Sequence, residues 1–126
     1  FQSRSISALR VWGAALERLH YHEPLNIVTT ALTRKDISDN EVTNDEIDGL
    51  SNFLSLVTDA DTLFVLRETE SGSVKVSMRA VSRDVSLFAK AFHGGGHQKA
   101  AGFTIENSRI ECDSQGCFRV VQSKKS

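Results

Sequence analysis

The sequence predicts one α/β domain, in which helices pack against a small mixed β-sheet of four or five strands, and an α+β arrangement is the alternative. Residues 25–33 are apolar and β-branched on both faces, which is typical of a central strand. Residues 62–69 and 74–80 flank a Ser-Gly-Ser turn, and this pattern predicts a β-hairpin. Helical periodicity precedes and follows these strands. With 126 residues, the chain is long enough to bury a core.

The first helix is predicted over residues 4–19. Its predicted buried stripe consists of Leu9, Trp12, Leu16 and Leu19. Pro24 prevents the helix from continuing. His20 and His22 stand near its end, where histidine suits the negative end of the helix dipole. A metal site at this pair is the alternative reading, but no third ligand is clustered with it, so no metal is predicted in this chain.

A polar acidic loop is predicted over residues 34–41, and a second helix begins after it. Thr43 and Glu46 have the spacing of a capping box, while Val42 and Ile47 have that of a hydrophobic staple. The predicted buried stripe of this helix consists of Ile47, Leu50, Leu54 and Val57. Folding alone explains these residues.

A third helix is predicted after Asp84, which is a suitable N-cap. Its apolar stripe consists of Val85, Phe88, Ala89 and Phe92. Three adjacent glycines at positions 94–96 follow, and they allow positive φ and a close approach of backbone N–H groups to a ligand. Residues 98–101 are predicted to form a short helical segment capped by Gly102, whose first amides favour an anion. We therefore expect a phosphate site here, with a structural turn or linker as the alternative.

Nearby side chains suit the same anion. His97 directly follows the glycines, and histidine titrates near neutral pH, so its ring can donate to a phosphate. Ser77 and Arg79 share the polar face of their strand because they are two residues apart. A hydroxyl and a guanidinium suit phosphate, although an ordinary exposed sheet face gives the same pattern. Residues 74–102 carry five basic residues against one acid, while the whole chain has a net charge of −1.

Several motifs in this order resemble a known family. They are Ser77-Met78-Arg79, Asp84-Val85-Ser86, and Gly94-Gly95-Gly96-His97 followed by Ala100-Ala101-Gly102-Phe103. Together they resemble the DHHA domain, the C-terminal substrate-binding domain of DHH phosphoesterases in the RecJ superfamily. Residues 44–54 are more similar to the branch of nanoRNases and pAp phosphatases than to the RecJ exonucleases. The resemblance covers roughly residues 9–103.

The resemblance implies a role for each matching residue. Gly94, Gly95, Gly96 and His97 would bind the terminal phosphate of a short RNA or DNA oligonucleotide or of pAp. Ser77 and Arg79 would contact the same nucleotide. Hydrolysis in the family uses Mn²⁺ ions held by a separate DHH domain, and its Asp-His-His motif does not occur in this chain. We therefore expect no cofactor and no catalytic residue here, and expect the DHH domain of a parent hydrolase as partner.

Two positions depart from the family pattern. His93 stands where the family usually has a fourth glycine, and it could either narrow the loop or place a second imidazole near the phosphate. Ala80 follows Arg79 where a serine is common, so one hydroxyl contact is missing. Lys99 lies close to the glycines, at a position that varies in the family, and is the remaining candidate for substrate binding.

A different class of function stays open: a non-catalytic module that binds tRNA or mediates dimerisation, similar to the C-terminal domain of alanyl-tRNA synthetase. The glycine-histidine motif favours the phosphoesterase form. A degenerate domain that only supports assembly is a third reading. The exposed edge of a small sheet would permit a homodimer.

The expected division of the chain has three parts. Residues 1–23 are an interdomain linker helix, residues 24–112 are the DHHA-like domain, and residues 113–126 are a C-terminal extension with a disordered tail. No long apolar run indicates a membrane span, and a cytoplasmic location is expected. Cys112 and Cys117 are expected to be two free thiols.

Overall fold

A mixed β-sheet organises the chain, and the computed structural model describes residues 6–39 and 43–123. In chain order the elements are α1 (Ile6–Glu17), β1 (His20–His22), a 3₁₀ turn (Glu23–Leu25), β2 (Ile27–Leu32), α2 (Arg34–Ser38), α3 (Asn44–Val57), β3 (Thr62–Glu68), β4 (Val74–Ala80), α4 (Val85–Ala91), β5 (Gly95–His97), β6 (Ala100–Ile105), β7 (Ser108–Cys112) and β8 (Phe118–Gln122). The predicted α/β class is confirmed.

Six strands among the described residues form the main sheet, in the order β1-β2-β3-β4-β6-β5. Strands β2 and β3 are parallel, and the other neighbours are antiparallel. The predicted number of strands was too low because β1 and β5 are short edge strands of three residues each. The β3–β4 hairpin is confirmed, and β4 has its predicted bounds. Strands β7 and β8 form a separate antiparallel pair.

Helices α1 and α3 cover one face of the sheet, which we call the α1/α3 face. The buried side chains of this layer are Val11, Trp12, Ala15, Val28, Leu32, Ile47, Leu50, Leu54, Leu63 and Val65. Trp12 stacks on Phe53 with ring centroids 5.3 Å apart, and its Nε1 donates to the Glu46 carbonyl at 3.0 Å. Helix α1 is thus packed into the same core as α3. The expected division of the chain at residues 23 and 112 stays a prediction.

The predicted stripe of α1 is partly wrong. Leu9 and Leu16 are 52% and 42% exposed. The residues that α1 buries are Ala8, Val11, Trp12 and Ala15. These positions also have helical spacing, so the buried face of α1 is rotated by about one residue from the predicted face. In α3, Val57 is exposed rather than buried, since it is the last helical residue.

The opposite face of the sheet packs against α4 and the β7–β8 pair, and we call it the α4 face. Its buried cluster consists of Ala31, Leu66, Val74, Val76, Met78, Val85, Ala89, Ala101, Phe103 and Ile110. The predicted stripe of α4 is confirmed for Val85 and Ala89, which are buried. Phe88 and Phe92 are 44% and 48% exposed, so the prediction that they are buried is wrong.

Helices α2 and α3 each begin with a capping box. Residues 34–38 form α2, so the predicted loop is wrong there; residues 40–42 lie outside the described residues. Thr33 and Asp36 form its capping box, and the Asp36 carboxylate also pairs with Arg18. Burial would raise the pKa of Asp36, but hydrogen bonds from Arg18 and Thr33 outweigh it and lower the pKa. The box of Thr43 and Glu46 is confirmed, whereas the staple residue Val42 is not described.

The predicted helical segment at residues 98–101 is wrong. Gln98 and Lys99 form the turn between β5 and β6, and Ala100 and Ala101 begin β6. Gly102 lies inside β6 and caps no helix. Alanine favours helix as an isolated residue, but pairing of β6 with both β4 and β5 overrides that preference here.

The remaining predictions concern the two ends. His20 and His22 lie in β1 rather than in a helix's last turn; their Nε2 atoms contact the Gly116 carbonyl at 3.1 Å and Thr29 Oγ1 at 3.0 Å. Residues 118–122 form β8. The first predicted residues of α1, at 4 and 5, and the predicted disordered tail at residues 124–126 lie outside the described residues. None of the described helices is long and apolar enough to cross a membrane.

Candidate ligand-binding face of the sheet

Strand β4 presents a row of polar side chains on the α1/α3 face, where α3 approaches the strand. Val74, Val76 and Met78 are buried on the α4 face. The intervening side chains therefore point to the α1/α3 face, because side chains alternate along a strand. These are Lys75, which is exposed, and Ser77 and Arg79, which are half-buried. The predicted shared polar face of Ser77 and Arg79 is confirmed.

The register of the sheet brings the glycine run to the same face. Ser77 is opposite Gly102 on β6, and Gly102 is opposite Gly95 on β5. Residues that are directly opposite in neighbouring strands share a face. Neither glycine has a side chain, but only Gly95 has free space beside it, since a Cβ on Gly102 would lie 2.8 Å from the Val76 carbonyl oxygen.

A second set of residues is paired across the same three strands, next to the set formed by Ser77, Gly102 and Gly95. Arg79 is opposite Ala100, and Ala100 is opposite His97, which is exposed. With strands about 4.8 Å apart, the Cα atoms of Arg79 and His97 are roughly 10 Å apart. Both side chains can reach a group above the small Ala100. At present Arg79 Nη1 donates to the Met78 carbonyl at 3.0 Å.

The three adjacent glycines have different structural roles. A Cβ on Gly94 would overlap the Gly102 carbonyl oxygen and lie 2.6 Å from Phe103 Cβ. Gly96 has a φ of +139°, and a Cβ there would lie 2.6 Å from the Ala100 oxygen. A Cβ on Gly95 would meet nothing within 4 Å. Gly94 and Gly96 are therefore needed for packing, whereas the space next to Gly95 is free.

Backbone amides of the loop are partly used inside the protein. The His93 N–H donates to the Lys90 carbonyl at 3.1 Å, and the Gly94 N–H donates to the Ala89 carbonyl at 2.8 Å. His93 itself has a φ of +64°, a conformation that glycine adopts without strain. No helix begins at residue 98, so the expected dipole contribution to anion binding is absent from this site. The amides of His93 and Gly94 are therefore not free to bind a ligand.

Lys99 lies at one end of the face. Its ammonium contacts the Val81 carbonyl, and it lines a cleft of about 210 Å³ together with Arg79. Asp61 lines the same cleft. A hydrogen bond from the Ser82 hydroxyl, at 2.5 Å, is the main cause that lowers the pKa of Asp61 to about 2. Asp61 thus keeps its charge and joins the start of β3 to the residues after β4.

A larger cleft of about 570 Å³ lies at the other end. Its lining residues are Lys75, Phe92, His93, Gly94, Gly95, Gly102, Phe103, Thr104 and Glu106. Lys75, Thr104 and Glu106 were missed as candidates from sequence. Lys75 could have been found, because it precedes Ser77 by two residues on the same strand. Glu106 could not, since only the pairing of β6 with β4 brings it to this cleft.

Metal ligands are not gathered in the described part of the chain. No group of three or more histidine, cysteine, aspartate or glutamate side chains there could hold an ion. Cys112 and Cys117 are exposed and have no disulfide bond. The described residues therefore do not fit a two-metal centre, which requires several such ligands. What this face can do chemically is hold an anion with a guanidinium, an ammonium, an imidazole and a hydroxyl.

Comparison with known proteins gives related folds. An exopolyphosphatase-related protein from Bacteroides fragilis has a TM-score of 0.71 and 25% sequence identity, over 80% of this chain and 30% of that chain. A pGpG-specific phosphodiesterase from Vibrio cholerae has a TM-score of 0.55 and 12% identity, over 79% of this chain and 33% of that chain. The second likeness shows the fold alone. This chain spans about a third of the length of either structure.

The family model of the DHHA1 domain matches residues 25–115. This match covers more than half of the chain and includes all residues of the two sets on β4, β6 and β5. The resemblance deduced from the sequence motifs is thereby confirmed. The chain belongs to the DHHA1 domain family.

Proposed function

We propose that this chain is the substrate-binding domain of a DHH phosphoesterase, and that it binds the phosphate of a short oligonucleotide or of pAp. One observation supports this most: Ser77, Arg79 and His97 lie on one face of the sheet, on either side of Ala100 and Gly102. Both similar structures have names that refer to phosphorylated ligands, an exopolyphosphatase-related protein and a pGpG-specific phosphodiesterase.

Each side chain on this face has a distinct task in the proposal. Arg79 offers planar paired N–H donors, which match two phosphate oxygens. Ser77 donates its hydroxyl beside the half-buried Gly102, and His97 donates from the edge strand. Lys75 adds a positive charge at the end of the row. Gly95 contributes space, since a Cβ there would meet nothing within 4 Å and a terminal phosphate can lie against β5 where no side chain intervenes.

Hydrolysis belongs to another part of the parent protein in this proposal. The described residues lack a group of metal ligands, so we place the Mn²⁺ ions in a DHH domain outside this chain. The role of this chain is then to hold the phosphate in one orientation while the DHH domain acts on it. Positioning of this kind contributes substantially to phosphoryl-transfer rates.

The test is a titration of this chain with a 5′-phosphorylated dinucleotide and with pAp, followed by backbone amide chemical shifts. The unphosphorylated dinucleotide serves as the ligand control. We expect shifts at Ser77, Arg79 and His97 and at the glycines, and about tenfold weaker binding for Arg79→Lys and for His97→Ala. Arg119→Lys is the matched control, because Arg119 is an exposed arginine on β8 away from this face.

Two outcomes would contradict the proposal. The first is equal binding of the phosphorylated and unphosphorylated dinucleotides. The second is a response on other surfaces while the amides of β4 and β5 stay unchanged. Concentration-dependent dimerisation or tRNA binding without a response on this face would favour the non-catalytic alternative.

A further inference from the structure

The cleft at the free edge of β6 continues from the proposed phosphate-binding face. Strand β5 pairs only with Ala100, Ala101 and Gly102, so the rest of β6 has no outer neighbour among the described residues. The cleft of about 570 Å³ lies beside this edge. Gly95 and Lys75 line it and also lie on the proposed phosphate-binding face. A ligand whose phosphate lies near Ser77 can therefore extend into the cleft.

An aromatic ring forms one wall of the cleft. Phe92 stacks on Phe103 with centroids 4.7 Å apart and planes at 17°, and Phe103 is almost fully buried. Phe88 also contacts the Phe92 ring, with centroids 5.2 Å apart and planes at 39°. Nevertheless, Phe92 stays 48% exposed. A flat ring that is fixed from behind and open towards a polar cleft suits a stacking planar ligand, and nucleobases stack on such rings regardless of their hydrogen-bonding edge.

The polar side of the cleft has a carboxylate. Glu106 lines the cleft with Thr104 and Lys75, and no hydrogen bond of its side chain occurs among the described residues. A carboxylate only accepts hydrogen bonds. Guanine alone among the common bases presents two adjacent donors, N1–H and N2–H, on one edge. Adenine and cytosine present a donor beside an acceptor nitrogen, which a carboxylate repels.

We propose that this cleft is a nucleobase subsite, in which Phe92 stacks on the base and Glu106 selects guanine. The inference rests on the proposed function, because the phosphate of the same nucleotide lies on the face formed by Ser77, Arg79 and Gly95. Specificity for the base is then determined at the edge of the sheet, and affinity for the phosphate on its face.

The experiment compares GMP, IMP and ribose 5-phosphate on this chain, by calorimetry and amide chemical shifts. IMP lacks only the 2-amino group of GMP, and ribose 5-phosphate lacks the base. We expect GMP to bind at least about fivefold more tightly than ribose 5-phosphate, from stacking. Phe92→Leu removes this difference and leaves ribose 5-phosphate binding unchanged. Phe53→Leu is the matched control, since Phe53 is also partly exposed, lies on α3 and does not line the cleft.

The guanine preference has its own variant. Glu106→Gln is expected to remove the preference for GMP over IMP, whereas Glu17→Gln, an exposed glutamate on α1, leaves it unchanged. Equal affinities for GMP and ribose 5-phosphate, with shifts at Ser77 and Gly95, would overturn the base subsite and leave the proposed function standing. An unaltered GMP preference in Glu106→Gln would overturn the guanine assignment. Absence of any binding by all three ligands would overturn both proposals.

Discussion

Replacing the three adjacent glycines by alanine, one at a time, separates packing from ligand space. At Gly94 the new methyl group overlaps the Gly102 carbonyl oxygen, which belongs to the backbone of a paired strand and cannot rotate away. At Gly96 the methyl lies 2.6 Å from the Ala100 oxygen, and the φ of +139° is strained for any residue with a Cβ. At Gly95 the methyl meets nothing within 4 Å.

The sizes of the three effects follow from these contacts. Overpacking costs typically about 1–3 kcal/mol, and a glycine-only backbone conformation costs a similar amount. We expect Gly94→Ala and Gly96→Ala to lower the free energy of unfolding by about 2–4 kcal/mol. Gly95→Ala is expected to raise it by up to about 1 kcal/mol, because alanine loses less backbone entropy on folding.

Urea and thermal unfolding of the wild type and the three variants measure these differences. For a chain of this size, the two destabilised variants should melt on the order of 10 °C lower. Gly95→Ala should melt at or above the wild-type temperature and yet bind a 5′-phosphorylated dinucleotide more weakly, since the methyl group occupies the ligand's side of β5. Equal stability of Gly94→Ala and the wild type would refute the packing argument. Strong destabilisation by Gly95→Ala would refute the assignment of free space there.

Two further predictions concern stability. Asp61→Asn should lower the free energy of unfolding at pH 7. Because the pKa of Asp61 is lowered from 3.8 to about 2 in the folded protein, this difference should persist above pH 4 and shrink as the pH falls towards 2. Urea titrations at several pH values measure it, and the exposed Asp59→Asn is the control. Thr43→Ala should lower the free energy of unfolding by about 1 kcal/mol, because it removes the capping box of α3. Ser55→Ala, within the same helix, should change the free energy of unfolding by less than about 0.5 kcal/mol, and urea unfolding measures both.

Local patterns predicted the elements whose stabilising contacts are local. The capping box at Thr43 and the alternation in β4 each involve residues close in sequence, and both were confirmed. The segment at 98–101 failed because its conformation is decided by β4, about 20 residues earlier in the chain. The stripe of α1 failed for a different reason. Leucine and alanine both occur on buried faces, and only the closeness of α1 to the sheet selects the face with small residues at Ala8 and Ala15.

The sequence predicted which polar residues share the candidate ligand-binding face, but not how the glycines beside them pack. Alternation placed Ser77 and Arg79 on one face, and the register of β6 and β5 then added Gly95 and His97 to it. Which glycine is open and which is packed could not be predicted, because that depends on how closely the neighbouring backbone and side chains approach each position. The same alternation places Lys75 on the polar face of β4, but Lys75 was not named as a candidate for ligand binding.

The amides of the glycine loop position the edge strand. At the start of β5, the Gly94 N–H donates to the Ala89 carbonyl at 2.8 Å; at its end, the Gln98 carbonyl accepts from the Val85 N–H at 2.8 Å. Both partners lie in α4, so this helix fixes β5 against the sheet at two points. His97 and the open backbone of Gly95 are therefore held on a strand of only three residues, which would otherwise fray. Hydrogen bonds within the protein thus couple α4 to the candidate ligand-binding face.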